Sequence, residues 1–194
     1  SKILLTVKSI RNFVDEIIIV NSAEDSCEIP NEYNVKIIQE KKGNTNASKA
    51  RNIGALEAKN EILLFIDSDV EVESQSVEEF KKSIQEIKEL EIFGGLYCWN
   101  IKSNLTSNVN SLLLRYRVND LNKSQKIKII SSSQFLIYKA FFDKIGGFNE
   151  YIDSYEDVDF FVRAQKIFDA NIKIIGNLNV YHHKEYNFTK LLSE

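Results

Sequence analysis

Residues 61–74 read EILLFIDSDVEVES. An unbroken apolar run, Ile62–Ile66, ends in two aspartates one residue apart, Asp67 and Asp69. A short apolar run bounded by polar residues is a buried strand. Ligands of open α/β sheets bind outside the carboxyl ends of the strands, and residues i and i+2 of an extended segment share a face. Both carboxylates therefore address one point at the tip of this strand. Side by side they repel unless a cation or a sugar hydroxyl lies between them. Hard oxygen ligands suit Mg²⁺ or Mn²⁺, ions that commonly bridge carboxylate and phosphate. The plain alternative is a solvated turn after a strand.

Outward from this stretch, strands and helices alternate. DEIIIVNSAEDS (15–26) holds a β-branched run, Ile17–Val20, that reads as a strand buried on both faces. YNVKIIQEKKGN (33–44) is a second strand. Ala47, Ala50, Gly54 and Ala58 then fall at helical spacing, with Thr45 or Asn46 as cap. Beyond the aspartates, Val77, Phe80, Ile84 and Ile87 form one helical stripe. IFGGLYCWN (92–100) reads as a strand, and SLLLRYRVNDL (111–121) as a helix. KIKIISSSQFLIYKAFF (126–142) reads as strand, turn, and a strand entering a helix. DVDFFVRAQKIF (157–168) is an amphipathic helix, and NIKIIGNLNVYHH (171–183) closes with one or two short strands. The alternation predicts βαβ units and a mostly parallel sheet flanked by helices.

The opening SKILLTV (1–7) lies too close to Ile17 for a parallel crossover, which takes roughly a dozen residues or more. Ile3, Leu4, Val7 and Ile10 suit a helix instead. A doubly wound sheet places a strand ahead of such a helix, and this sequence holds none there. Without that strand the sheet is expected to have a gap, and trimming explains the absence more simply than evolution of a half-pocket.

At 194 residues the chain is expected to form one domain. A formal net charge of -3 supplies no basic field for nucleic acid. Cys27 and Cys98 follow no metal or redox spacing, which favours a reducing compartment. No apolar run reaches the roughly 18 to 20 residues that span a bilayer, and no signal peptide is visible.

Two further clusters carry chemistry. In SYEDVDFFVRA (154–164), Glu156, Asp157 and Asp159 open a helix, where the dipole favours carboxylates. Gly146-Gly147-Phe148 lies just upstream, so a turn followed by carboxylates presents a base to a cleft. Asp159 and Arg163 are spaced for an intrahelical ion pair, the structural alternative. The chain's 2 histidines, His182 and His183, are adjacent in a strand-like run and face opposite ways, so at most one serves a site. Trp99 is either a stacking platform for a sugar or a core residue. SLLLRYRV (111–118) reads as a core helix with snorkelling arginines in preference to a lipid contact.

Together these residues resemble the inverting family 2 glycosyltransferases of GT-A fold. GNTNASKARNIGALEAKNEILLFIDSDV (43–70) is similar to the family's Gly-x-x-x-x-Ala-Arg-Asn-x-Gly helix leading into a D-x-D strand. FFDKIGGFNEYIDSYEDVDFFVRA (141–164) is similar to its Gly-Gly-Phe-Asp-Glu turn and Glu-Asp motif, and VYHH stands where many members supply a histidine. The resemblance covers about residues 1 to 185. It implies a 1–100 nucleotide-binding half and a 101–194 acceptor-binding and catalytic half. Asp69 would hold Mn²⁺ or Mg²⁺, with His182 completing the shell and His183 as second choice. Asp67 would meet the ribose or the metal's water. Arg51 and Lys49 would face the nucleotide, and Asn21 and Ser22 stand where acidic residues usually read the base. Asp157 would be the base that deprotonates the acceptor, with Glu156 the alternative. The implied partners are a nucleoside-diphosphate sugar, UDP by default, and a carbohydrate or lipid-linked acceptor. The implied place is the cytoplasm, at most in peripheral contact with the inner face of the membrane. The family's opening strand, with its Pro-x-Tyr-Asn-like loop, has no counterpart here. Rival expectations are an inactive glycosyltransferase-like binding module and a sugar-nucleotide nucleotidyltransferase. A haloacid-dehalogenase-like phosphatase is disfavoured, since no Thr follows the D-x-D.

Overall fold

A computed structural model describes residues 1–21, 29–41, 46–100, 103–119 and 127–185. In chain order these form α1 (Lys2–Ile10), β1 (Ile17–Asn21), β2 (Val35–Gln39), α2 (Ala47–Glu57), β3 (Ile62–Ile66) and β4 (Val70–Val72). There follow α3 (Val77–Glu86), β5 (Glu91–Tyr97), α4 (Leu105–Asn119), β6 (Gln134–Tyr138), α5 (Lys139–Ile145), α6 (Glu156–Phe168) and β7 (Asn171–His182). The opening residues are helical, as their spacing predicts. Asn46 caps α2, its side chain accepting from the Lys49 N–H at 2.9 Å. β4 escaped the sequence reading because three residues carry almost no periodic signal, and KIKII contributes no strand among its described residues.

The strands form two sheets: β1 with β2, and a five-stranded sheet in the order β3-β6-β5-β7-β4. The expectation of a mostly parallel sheet needs correction. β1–β2 and β5–β7 are parallel, whereas β3–β6, β5–β6 and β4–β7 are antiparallel. The reason is where β6 begins: Gln134 sits opposite Ile66, at the finishing end of β3, so β6 must run back. β7 is one long strand, pairing with β5 over residues 171–174 and again at Asn179 and Val180, and with β4 only at its end. The register shifts between Gly94 and Leu96, whose β7 partners are Ile174 and Asn179. There, a Cβ on Gly95 would lie 2.1 Å from the Leu178 carbonyl, so only glycine fits.

The core between the large sheet and α5–α6 is aromatic. Phe65 and Phe135 are cross-strand partners with ring centroids 4.6 Å apart. Phe142, Phe148, Phe160 and Phe161 close around them. Such rings contribute packing energy beyond their area, about 0.5–1.5 kcal/mol per pair. β1 departs from expectation: Ile17–Val20 are only half-buried, not covered on both faces.

α4 also differs from its expected place in the core. It buries its small polar residues, Ser107, Asn108 and Ser111, and exposes Leu112, Leu113 and Tyr116. Hydrogen bonds explain this orientation. Asn108 bonds to both backbone groups of Asn100, and Arg115 donates to the Tyr97 carbonyl and to Asn179 Oδ1. Among the described residues no helix is long and apolar enough to cross a membrane.

Candidate active site

The D-x-D aspartates stand where the sequence puts them, at the carboxyl end of β3. The Asp67 N–H donates to the Ser133 carbonyl at 2.9 Å, tying the strand tip to the start of β6. Arg51, from α2, reaches across with its two terminal nitrogens. Nη2 donates to Asp67 Oδ1 at 2.9 Å and Nη1 to Glu156 Oε1 at 3.0 Å. The guanidinium lies over the Phe148 ring, 5.3 Å from its centroid. One buried cation thus joins the D-x-D strand to the start of α6. A guanidinium suits this task because its fork of donors is planar and its charge permanent.

Asp157, beside Glu156, accepts from the Val158 N–H at 2.8 Å. Desolvation pushes its carboxyl above the ordinary range, and the Glu156 charge adds to this, against the pull of the Val158 and Ser132 backbone and of Arg51. The Asp67 carboxyl is also raised, by desolvation first and by Asp69, with Arg51 opposing. Asp69 is lowered in spite of desolvation, because His182 and Lys2 favour its charge. His182 Nε2 lies 3.6 Å from Asp69 Oδ1. His183 points elsewhere, with its Nε2 2.7 Å from Glu71 Oε2. Of the two histidines, His182 is the one beside the aspartates.

The donor set suits a divalent cation held partly by substrate. Asp69 and His182 offer one oxygen and one nitrogen, and Mg²⁺ sites of this kind use one or two protein carboxylates plus phosphates. No group of three or more His, Cys, Asp or Glu able to hold a metal exists among the described residues, so the protein alone forms no closed cage.

Two supporting residues escaped the sequence reading. Tyr97 stacks on His182 at 5.1 Å, and its hydroxyl bonds to Ser131 and Ser133. It lies inside an apolar strand run and gave no signal. Asn52 accepts from the Phe148 N–H at 2.8 Å and donates to the Phe148 carbonyl at 2.9 Å. Gly147, at φ 66, would carry a Cβ 2.6 Å from Asn52 Oδ1. Asn52 stands in the Ala-Arg-Asn stretch, where its role was legible only as part of the motif.

Arg51, Lys49 and Asn21 each meet a partner within the chain. Arg51 is engaged by carboxylates instead of presenting its charge outward. The Lys49 ammonium pairs with Glu40 at 3.6 Å. Asn21 ends β1 and donates to Gln39 Oε1 at 3.2 Å. Ser22 and Cys27 lie outside the described residues. Asp159 forms the expected ion pair with Arg163, 2.7 Å apart, and is structural. The Cys98 thiol is pushed up to about 12 by burial, which excludes it as a thiolate at neutral pH.

The model of the family described as "Glycosyl transferase family 2" matches residues 1–146. No curated protein matches the sequence. Solved structures with a similar fold include GalNAc-T7 with UDP, GalNAc and Mn2+, at 15% identity and a TM-score of 0.63. That match covers 95% of this chain and 41% of that one. S. aureus TarS matches at 19% identity and a TM-score of 0.64, covering 95% of this chain and 34% of that one. A TarS 1-349 structure in complex with UDP gives 19% identity and a TM-score of 0.65 over 92% of this chain and 55% of that one. The chain thus spans from a third to just over half the length of these proteins.

Proposed function

The chain belongs to glycosyl transferase family 2, and from that premise we propose that it moves a sugar from a nucleoside-diphosphate sugar to an acceptor hydroxyl, with inversion. The observation that carries this reading is the Arg51 bridge, which ties the D-x-D strand, through Asp67, to Glu156 at the start of α6, next to Asp157. The UDP bound in two structures of similar fold supports UDP as the nucleotide.

Asp69 and His182 would hold Mn²⁺ or Mg²⁺. Such an ion supplies positive charge against a departing diphosphate. Asp157 acts as general base: desolvation raises its carboxyl and so brings it nearer the working range of a base. Glu156 is the weaker candidate because its carboxylate is engaged by Arg51. In the proposed step the acceptor oxygen bonds to the anomeric carbon as the bond to the diphosphate oxygen breaks. The hydroxyl proton passes to Asp157. A single in-line displacement inverts that carbon, through an oxocarbenium-like transition state. Asp67, oriented by Arg51, is left to accept from a ribose hydroxyl. Trp99, 45% exposed just past β5, supports a carbohydrate acceptor by ring stacking. The outward Leu112, Leu113 and Tyr116 of α4, beside Arg117, support contact with a membrane face bearing a lipid-linked acceptor.

The test is titration of UDP with Mn²⁺ into the chain and into Asp69→Ala, together with turnover of UDP-sugars by the chain and by Asp157→Asn. Mn²⁺-dependent binding lost in Asp69→Ala, and transfer lost in Asp157→Asn with binding kept, are the expected results. Equal UDP affinity in Asp69→Ala would remove the metal reading. A second reading, a binding module without turnover, is favoured by the open space between β1 and β3 next to Asp67. It predicts UDP binding with no hydrolysis or transfer of any UDP-sugar.

A further inference from the structure

We infer that Tyr155 is a platform on which a neutral sugar of the acceptor stacks, so that this ring selects the acceptor. The inference rests on the glycosyl-transfer reading, because it takes Asp157 as the base.

Among the described residues, three other than glycine have φ in the left-handed region: Asn34 at 49°, Tyr155 at 64° and Asp169 at 55°. Asn and Asp tolerate that region, because a short polar side chain can bond locally. A bulky aromatic residue there is an outlier, and such strain persists only where the surroundings over-determine it. Here they do. The Tyr155 carbonyl accepts from the Asp159 N–H at 3.1 Å, within the first turn of α6. Ahead of it, Asn46 donates to the Glu150 carbonyl at 2.8 Å and to Asp153 Oδ1 at 3.4 Å. Asn52 donates to Glu150 Oε1 at 2.9 Å. The turn before Tyr155 is thus pinned to α2, the helix that also carries Arg51.

Folding gains little from the ring itself. Tyr155 is 77% exposed, so it holds neither turn nor helix by packing. An exposed ring kept in a costly backbone conformation has its use in a ligand, and its place says which. Asp157 follows two residues later, with α-carbons at most about 7 Å apart. What lies on the ring is therefore within reach of the base. Residues 149–162 include Glu150, Asp153, Glu156, Asp157 and Asp159 and contain no Lys or Arg. An anionic acceptor is repelled by that set. A neutral sugar meets the ring with its C–H face and the carboxylates with its hydroxyl donors, and a hydroxyl is what Asp157 requires.

The test is saturation-transfer NMR on the chain with UDP and Mg²⁺. The probes are neutral hexose and N-acetylhexosamine disaccharides, their uronate and 6-phosphate forms, and choline. At least one neutral disaccharide should contact the chain. Its affinity should stay within about twofold in Tyr155→Phe and Tyr155→Trp and fall about fivefold or more in Tyr155→Asn. Because asparagine suits left-handed backbone, Tyr155→Asn should also melt roughly 2–4 °C higher, a rise that removal of a packing ring could not give. Asp169→Gly, at the other end of α6, relieves the backbone in the same way and leaves the ring in place, so saccharide binding should not change. Binding of no neutral disaccharide overturns the inference. So does tighter binding of the anionic forms or of choline, unchanged binding in Tyr155→Asn, or a lower melting point of that variant. The transfer reading fails separately: a saccharide held through Tyr155, with no transfer from any UDP-sugar, would remove that reading and leave the platform standing.

Discussion

Replacing Arg51 by methionine removes the cation between Asp67 and Glu156 and keeps the bulk of the side chain. Hydrogen bonds to charged groups contribute about 1.5–3 kcal/mol each. Glu156, 16% exposed, keeps about 2 kcal/mol of that range. Asp67, at 38%, is partly hydrated and is discounted to about 1 kcal/mol. The sum, about 3 kcal/mol at pH 8, is at the low end for loss of one partner in a buried ion pair. It corresponds to a fall in Tm of roughly 6–12 °C for a domain of this size. Arg51→Lys, whose single ammonium reaches one carboxylate, should lose about half as much. The sign of the pH dependence is fixed. The Asp67 carboxyl is raised by desolvation and held down by Arg51, so without Arg51 its protonated folded form is favoured below the ordinary carboxylate pKa and that advantage is lost as pH rises. The deficit of Arg51→Met should therefore shrink by about 1 kcal/mol or more between pH 8 and pH 5. Urea unfolding at both pH values measures it. A deficit equal at pH 5 and pH 8 would refute the view that Arg51 compensates charge.

Asp157→Asn should remove transfer yet raise stability at pH 8 by a few tenths to about 1 kcal/mol. Its raised carboxyl opposes folding when ionised, so the gain should fade toward pH 4, and a loss of stability at pH 8 would contradict the assignment. His182→Ala should weaken Mn²⁺-dependent UDP binding about tenfold or more, whereas His183→Ala should leave it within about twofold. Isothermal titration separates the two, and equal effects would refute the choice of His182. Gly95→Ala should cost about 3 kcal/mol or prevent folding, since its Cβ meets the Leu178 backbone, which cannot step aside. Gly146→Ala, with φ 89 but open space around it, should cost only about 1 kcal/mol by the same urea assay.

Much of the fold was legible because its elements are periodic. The stripe of α3, the run of β3 and the initial helix appear where their spacing places them. Strand direction was less legible, because an apolar run reads the same either way. QFLIY identifies β6 but not that it starts beside Ile66. The aspartate pair was legible as an i, i+2 pattern at a strand end, whereas adjacency said only that at most one of His182 and His183 serves the site, and the contact with Asp69 picks His182. The role of Arg51 was not. Its partners are remote in sequence, and a basic residue near a diphosphate site is equally consistent with facing the ligand. The orientation of α4 ran against its composition, since buried hydrogen bonds of Asn108 and Arg115 outweighed the apolar preference of its leucines.

The central parallel pair, β5 with β7, joins Glu91 to Asn171, and β7 also brings His182 to Asp69. Pairings this remote require closure of long loops before any contact compensates for the lost chain entropy. Local units such as α1 or the β1–β2 pair can form early on a nascent chain, but the carboxylate–imidazole cluster is assembled only when the last described strand docks. A polypeptide cut or stalled ahead of residue 171 would therefore retain its helices and the residues of the Arg51 bridge while lacking the imidazole beside Asp69, so the Asp69–His182 pair is the last part of the cluster to arrive.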